Sequence, residues 1–439
     1  MKHLLKRLFC SPVFIAGFAF AIRMALLYTL WAISPNPVRS NLPYGYELGR
    51  VARAIAAGEG FSSPLRIWDT GPTVWFTPIY PYLVAGIFKV WGIYSFMSQI
   101  LIQTMNCAFA ALTIIPIYGI AKRTFGESVA TGAAWTWALF PTAIFFPIQW
   151  IWDTALTALF FSLIFWATLG LRKKRGLLPW AGYGALWVVG VLINPSIVSL
   201  FPFFLGWLMW KARKESAPWA KPAAAALLVF TIGLVPWTIR NYRVFDKFIV
   251  LRSNFGLELW LGNNPDVTDT MSQWAHPNDN PQEGEKYART GEIAYMAEKQ
   301  REAFAFMRSH PRDTAYFMFH RFANTWLGVT DTPLDYWANG PLYAKAFLIL
   351  NCLLSLLSLL GVLYAHRTGH PDAAPFGLVL LVFPTIFYVT HSSLRYRFPM
   401  DPIMLVLAAS AVAHLLSAAR FPSARKTNAI AAVPSLPAN

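Results

Sequence analysis

Charged residues are scarce in this sequence. Only 13% of its 439 residues are Asp, Glu, Lys or Arg, about half of what a soluble domain carries. With 56% hydrophobic residues, that shortfall excludes an ordinary soluble enzyme. Cysteine is nearly absent. Cys10, Cys107 and Cys352 lie in or beside apolar runs without paired spacing, so neither a disulfide framework nor a zinc site follows. No phosphate-cradling Walker loop, Gly-rich dinucleotide turn or serine nucleophile elbow occurs. Acidic residues number 21 against 37 basic ones, a net charge of +16. Nucleic acid is excluded as a partner because no basic patch is interleaved with a binding module. Lys and Arg gathering in cytoplasmic loops of a membrane protein accounts for the excess.

Long apolar runs are what the sequence has instead. Several approach or exceed the roughly 18 residues that cross a bilayer, which predicts an all-α polytopic membrane protein. Lys2, Lys6 and Arg7 precede the first run, 11–33, and place the N-terminus in the cytoplasm. No small-x-small cleavage site followed by a soluble domain appears, so this run is read as an uncleaved span. Later runs end in Lys122-Arg123, Arg172-Lys-Lys-Arg175 and Lys211-Ala-Arg213-Lys214. These clusters fall on one side only if the ambiguous stretch 76–91 stays on the outer surface. The predicted spans are then 11–33, 97–121, 128–147, 154–171, 178–192, 196–210, 223–239, 346–365, 376–390 and 403–418, about ten in all. One domain covers 1–420, with outer segments 34–95 and 241–342. The Ala/Pro/Ser-rich tail 421–439 is expected to be a disordered cytoplasmic extension.

Two carboxylates border apolar spans on the predicted outer face, and such groups are functional candidates by default. One is Glu47, in Tyr44-Gly-Tyr-Glu47, on an expected helix 47–57 with Arg50 and Arg53 near one face. The bland alternative pairs Glu47 with Arg50 on a solvated helix. The other is Asp153, which follows Trp150-Ile-Trp152 and opens an apolar run. Its bland reading is a helix N-cap. A third group is His391-Ser-Ser-Leu-Arg395-Tyr396-Arg397, where two arginines flank a tyrosine as a lipid phosphate would require. Arg252 and Asn254 add outward polar groups, and Arg23, inside the first span, needs a partner. In 241–342, Asp266, Asp269, His276, Asp279, Glu283, Glu285 and His310 read as a solvated loop, with a helix at 291–309.

In order along the chain stand an acidic residue in a long first outer segment, Pro78-Ile-Tyr80-Pro81, Ile120-Ala-Lys-Arg123, Asp153 opening a span, Pro236-Trp-Thr-Ile-Arg240-Asn-Tyr242, Gly262-Asn-Asn-Pro265 and Arg395-Tyr-Arg-Phe-Pro399. In this the chain resembles the integral-membrane glycosyltransferases of the GT-C fold, especially the bacterial family 39-like enzymes. These include the protein mannosyltransferases and the lipid A aminoarabinose transferase. Where that family commonly carries Asp or Asp-Glu, this sequence has Tyr44-Gly45, and Glu47 is the nearest carboxylate.

The resemblance implies a GT-C-like bundle in a bacterial inner membrane, with its site facing the periplasm. It implies inverting transfer of a monosaccharide from a polyprenyl-phosphate donor to a hydroxyl on a glycan, lipid or protein. Glu47 would be the general base, and Asp153 would orient the acceptor or stabilise positive charge on the sugar. Arg395, Arg397, Tyr396 and, more weakly, Lys89 would hold the lipid phosphate. Arg50, Tyr80, Arg252 and Asn254 would line the acceptor or loop side. A divalent metal stays open, since metal use varies within the fold class. Competing readings are a polymerase or O-antigen ligase with a lipid-diphosphate donor, a lipid-linked sugar transporter, and a scaffold with decayed chemistry.

Overall fold

The computed structural model describes residues 7–33, 44, 46–66, 69–149, 151–328 and 338–420. The tail 421–439 lies outside them. Each predicted apolar run is helical, and no strand occurs among the described residues. Six helices are long and apolar enough to cross a membrane: Pro12–Ile33, Phe96–Thr124, Thr154–Leu171, Ala220–Phe245, Lys345–Arg367 and Leu394–Ala418. Glu127–Leu139 and Pro141–Gln149, bent by 42°, make a seventh if they are one span. The other three runs are shorter or broken. They are Leu177–Ile193, the 3-10 turn Pro195–Leu200 leading into Phe201–Lys214, and Ala373–Val382 followed by Thr385–Val389. Proline explains the first break, because Pro195 cannot continue a helix and Asn194 before it is extended.

Arg23 finds its partners at the bend. It is fully buried and donates to the carbonyls of Ala19, Trp137, Ala138 and Ala143. The carbonyls of Trp137 and Ala143 would ordinarily accept from the amides four residues on. Those residues are Pro141 and Pro147, which have no N–H. Arg23 therefore satisfies backbone acceptors that two prolines orphan, and no carboxylate is involved.

The charge-based topology has a structural counterpart. Arg172 pairs with Asp372 at 2.7 Å, Arg175 with Glu215 at 2.8 Å, and His370 Nε2 lies 2.9 Å from the Thr124 carbonyl. These contacts gather the basic run ends at one end of the bundle. The stretch 76–91 forms the helix Ile79–Trp91. At about 20 Å it is short of a hydrocarbon core of about 30 Å. Thr77 Oγ1 ties its start to the carbonyl of Ile193, at the opposite end of the bundle from the basic clusters.

At that opposite end the two long segments fold onto each other. The buried Glu292 carboxylate accepts from Thr73 Oγ1, Val74 N–H, Ser253 Oγ and Tyr287 OH. This differs from the solvated loop expected for 241–342. Its described part consists largely of the helices Phe255–Gly262, Pro281–Thr290, Glu292–Ser309 and Pro311–Leu327. Gly291, at φ 79°, makes the left-handed turn between the second and third. Glu283 reaches Lys299 at 2.8 Å rather than water.

Candidate active site

Glu47 stands in the first turn of Tyr46–Ala57, where a carboxylate suits the helix dipole. Leu48, Val51 and Ala52 of that helix are buried with it. Gly49 is required beneath Tyr44, whose carbonyl oxygen lies 1.8 Å from where a Cβ would stand. The Glu47–Arg50 pair of the bland alternative does not form. Instead Asn278, from the later segment, inserts its amide: its Nδ2 donates to Glu47 Oε1 and its Oδ1 accepts from Arg50 Nη1 at 2.9 Å. The Arg66 amide also donates to Asn278 Oδ1, at 2.8 Å. His276 Nε2 faces the same Glu47 oxygen at 3.6 Å. Arg53 pairs with Glu59.

Asp153 occupies the N-cap position of Thr154–Leu171, but its side chain caps nothing. Its backbone is already helical, at φ −66° and ψ −3°, whereas capping needs an extended residue. The carboxylate turns outward and accepts from Asn194 Nδ2 at 3.0 Å. Burial pushes its pKa above the ordinary carboxylate value, while Arg252 and Arg395 pull it back without cancelling the rise.

Two guanidinium groups act electrostatically on this carboxylate, each held on an aromatic ring. Arg395 lies 4.1 Å from the Trp152 centroid and Arg252 lies 5.2 Å from that of Phe76. The two rings are themselves neighbours, 6.5 Å apart. Cations so placed are attracted by the ring faces. Arg252 is also anchored by its Nε to the Trp75 carbonyl at 2.6 Å.

Arg252 connects this half of the site to Glu258, whose oxygen lies 3.8 Å away. Glu258 accepts from Asn254 Nδ2 and pairs with His391 Nε2 at 2.5 Å. Burial pushes its carboxyl upward. The His391 hydrogen bond and charge outweigh that, helped by Arg252 and His276, and hold it at about 2. Glu258 therefore sits within electrostatic reach of both His276, which faces Glu47, and Arg252, which in turn acts on Asp153.

The paired arginines around Tyr396 part company. They are two residues apart on the turn Leu394–Arg397, about 200° around a helix, so they point in opposite directions. Arg395 stays at the site and donates to Tyr396 OH at 3.1 Å. Tyr396 stacks on Phe387, with ring centroids 5.1 Å apart. Arg397 points into the protein. It donates to Asp401 at 2.8 Å, to the carbonyls of Thr325 and Trp326, and to Asn351. The expectation that both arginines face one phosphate gives way to one outward and one inward. Tyr80 is buried with its hydroxyl on Asn106 at 2.9 Å. Lys89 is exposed in the last turn of its helix, about 13 Å along the axis from Tyr80.

Sequence reasoning missed Glu258, His276 and Asn278 as site members. A lone carboxylate in the apolar run Phe255–Gly262 was a usable signal for Glu258. Nothing local distinguishes His276 or Asn278, which reach Glu47 only through the tertiary fold. No group of three or more His, Cys, Asp and Glu side chains able to hold a metal ion occurs among the described residues.

No protein-family model matches the chain, and no curated protein matches it. Solved structures do. The archaeal oligosaccharyltransferase AglB from Archaeoglobus fulgidus, in complex with an inhibitory peptide and a dolichol-phosphate, overlays at a TM-score of 0.52 and 15% identity. The match covers 97% of this chain and 52% of that one. An Archaeoglobus fulgidus oligosaccharyltransferase in complex with zinc and sulfate overlays at 0.51 and 15% identity, over 96% and 51%. ArnT from Cupriavidus metallidurans, bound to undecaprenyl phosphate, is 13% identical over 95% and 81%, but its TM-score of 0.34 is too low to bear on the fold. The chain spans about half the length of the oligosaccharyltransferases it matches. The fold is that of a GT-C-like polytopic membrane protein.

Proposed function

We propose that the chain is a glycosyltransferase of the outer face of a bacterial inner membrane. In this reading it transfers one sugar, with inversion, from a polyprenyl-phosphate carrier to an acceptor hydroxyl. The observation that carries the reading is the placement of Arg252 and Arg395 on the adjacent rings of Phe76 and Trp152, close enough to Asp153 to favour its ionised form. Fixed cations beside a carboxylate, next to a bilayer-length helix, suit a reaction in which phosphate charge grows as a sugar acquires positive charge.

Glu47 is assigned as the general base. It takes the acceptor O–H proton while that oxygen bonds to the anomeric carbon. The bond from the anomeric carbon to the phosphate oxygen breaks, and its electron pair leaves with the polyprenyl phosphate. Arg395 and Arg252 neutralise that phosphate, and Asp153 stabilises the sugar as it becomes cationic. Arg397 supports the turn that carries Arg395. The residues Arg50, Tyr80, Asn254 and Tyr396 shape the walls, and Lys89 is left for a headgroup further out. The site needs no nucleotide motif because the lipid anchors the donor.

The test is transfer of radiolabelled sugar from a panel of polyprenyl-phosphate donors to membrane-extract acceptors, using protein in nanodiscs. Transfer by wild type that is lost in Glu47→Gln and Asp153→Asn supports the reading. Transfer only from lipid diphosphates moves the protein to the ligase class, and transfer from neither sinks the enzyme assignment.

A further inference from the structure

The ring of His276 has an apolar side and two polar aims. One face packs against Trp75, with centroids 5.8 Å apart. Nδ1 accepts the backbone N–H of Asn278 at 3.2 Å and lies 3.9 Å from Asp279 Oδ2. Nε2 faces Glu47 Oε1 at 3.6 Å. A neutral imidazole that accepts at Nδ1 carries its proton on Nε2. The Asn278 amide thus selects the tautomer whose N–H is aimed at Glu47. The same turn delivers the Asn278 side chain to that carboxylate, and to the same oxygen. Glu47 Oε2 accepts no hydrogen bond from the described residues. Among the described residues, the Asn278 amide donates to Oε1, His276 Nε2 is aimed at the same oxygen, and no donor reaches Oε2.

We propose that His276 is a positioning residue for Glu47, fixing Oε1 so that Oε2 meets the acceptor hydroxyl. The assignment rests on the reading of Glu47 as the base. A separation of 3.6 Å is longer than a hydrogen bond, and catalytic contacts of this kind tighten when substrate fills the site. His276 belongs to the later segment and Glu47 to the first. The base is complete only when the two segments are docked, as Glu292 docks them at Thr73 and Val74.

Three variants separate positioning from mere packing. His276→Phe keeps a ring against Trp75 but has no N–H. His276→Gln restores an N–H near the Nε2 position. His276→Ala has neither. Sugar transfer should fall at least about tenfold in kcat, with KM changed less than about twofold, in the Phe and Ala variants, and the Gln variant should recover most of it. A Phe variant as active as wild type, or a Gln variant no better than Ala, overturns the proposal. Carbodiimide labelling of Glu47, read by mass spectrometry on folded protein in nanodiscs, decides the matter without turnover. Losing the N–H removes a contact that holds the carboxyl, so Glu47 should label at least about threefold faster in the Phe variant and at the wild-type rate in the Gln variant. Equal labelling throughout overturns the proposal. If wild type transfers no sugar at all, the functional reading fails while the labelling result still stands on its own.

Discussion

Arg395 stacks over Trp152, the residue immediately before Asp153, with its guanidinium carbon 4.1 Å from the ring centroid. One ring thus positions the cation beside the carboxylate whose ionisation it assists. Arg395→Ala is expected to lower transfer about 100-fold or more, as loss of a phosphate-neutralising donor does. Trp152→Ala should cost less, about tenfold, matching a cation–π contact of order 1 kcal/mol. Both proteins should melt within a few degrees of wild type. A large melting shift in Arg395→Ala would mean that the residue serves the fold.

Arg397 should behave oppositely. Its ion pair with Asp401 is fully buried on both sides. Removing one partner from such a pair costs about 3–5 kcal/mol. Arg397→Ala should therefore yield little folded protein in detergent, and whatever folds should retain catalysis. A stable, inactive Arg397→Ala would return this residue to the phosphate.

Arg23 gives a test that depends on proline chemistry. Arg23→Met leaves the buried carbonyls of Trp137 and Ala143 without donors, at about 1–3 kcal/mol each. Adding Pro147→Ala restores an amide that can serve Ala143 within its own helix. The double variant should be more stable than Arg23→Met alone in thermal unfolding. A further loss of stability would show that the orphaned carbonyl is not the cause.

Glu258 makes a pH-dependent contribution of known sign. Its carboxyl drops from 4.5 to about 2 in the fold. A depressed carboxyl contributes stability that is fully present above 4.5 and is lost as pH falls from 4.5 through 2. The melting advantage of wild type over Glu258→Gln should therefore be full just above pH 4.5 and shrink as pH falls below it. An advantage that persists unchanged at pH 3 would refute the assignment.

Asp153 lies on the other side of its ordinary value, raised by burial and restrained by Arg252 and Arg395. If its ionised form is the active one, the acid limb of the pH–rate profile sits above the usual carboxylate value of about 3.9. Arg252→Ala removes a cation that favours the carboxylate, so the limb should move to higher pH. A shift to lower pH, or none, would separate Arg252 from Asp153.

The sequence by itself determined the membrane class, the helical runs and which end of each is basic. These follow from local composition, because a bilayer imposes length and apolarity on every crossing segment regardless of its neighbours. It also singled out Glu47, Asp153 and Arg395, since charge beside an apolar run stands out without any fold. Only the tertiary structure decided which charged groups meet. Arg397 went inward because two residues of helix reverse a direction. Arg23 found carbonyls because two prolines of one other helix had freed them. Asp153 left its cap because its backbone was already helical, and Glu47 took Asn278 rather than Arg50. The Arg23 and Glu47 outcomes depend on groups far apart in the chain, between 114 and 231 residues for their contacts with other helices and segments. Local spacing carries no record of such pairings, which arise only when packing removes the water that would otherwise satisfy every polar group separately.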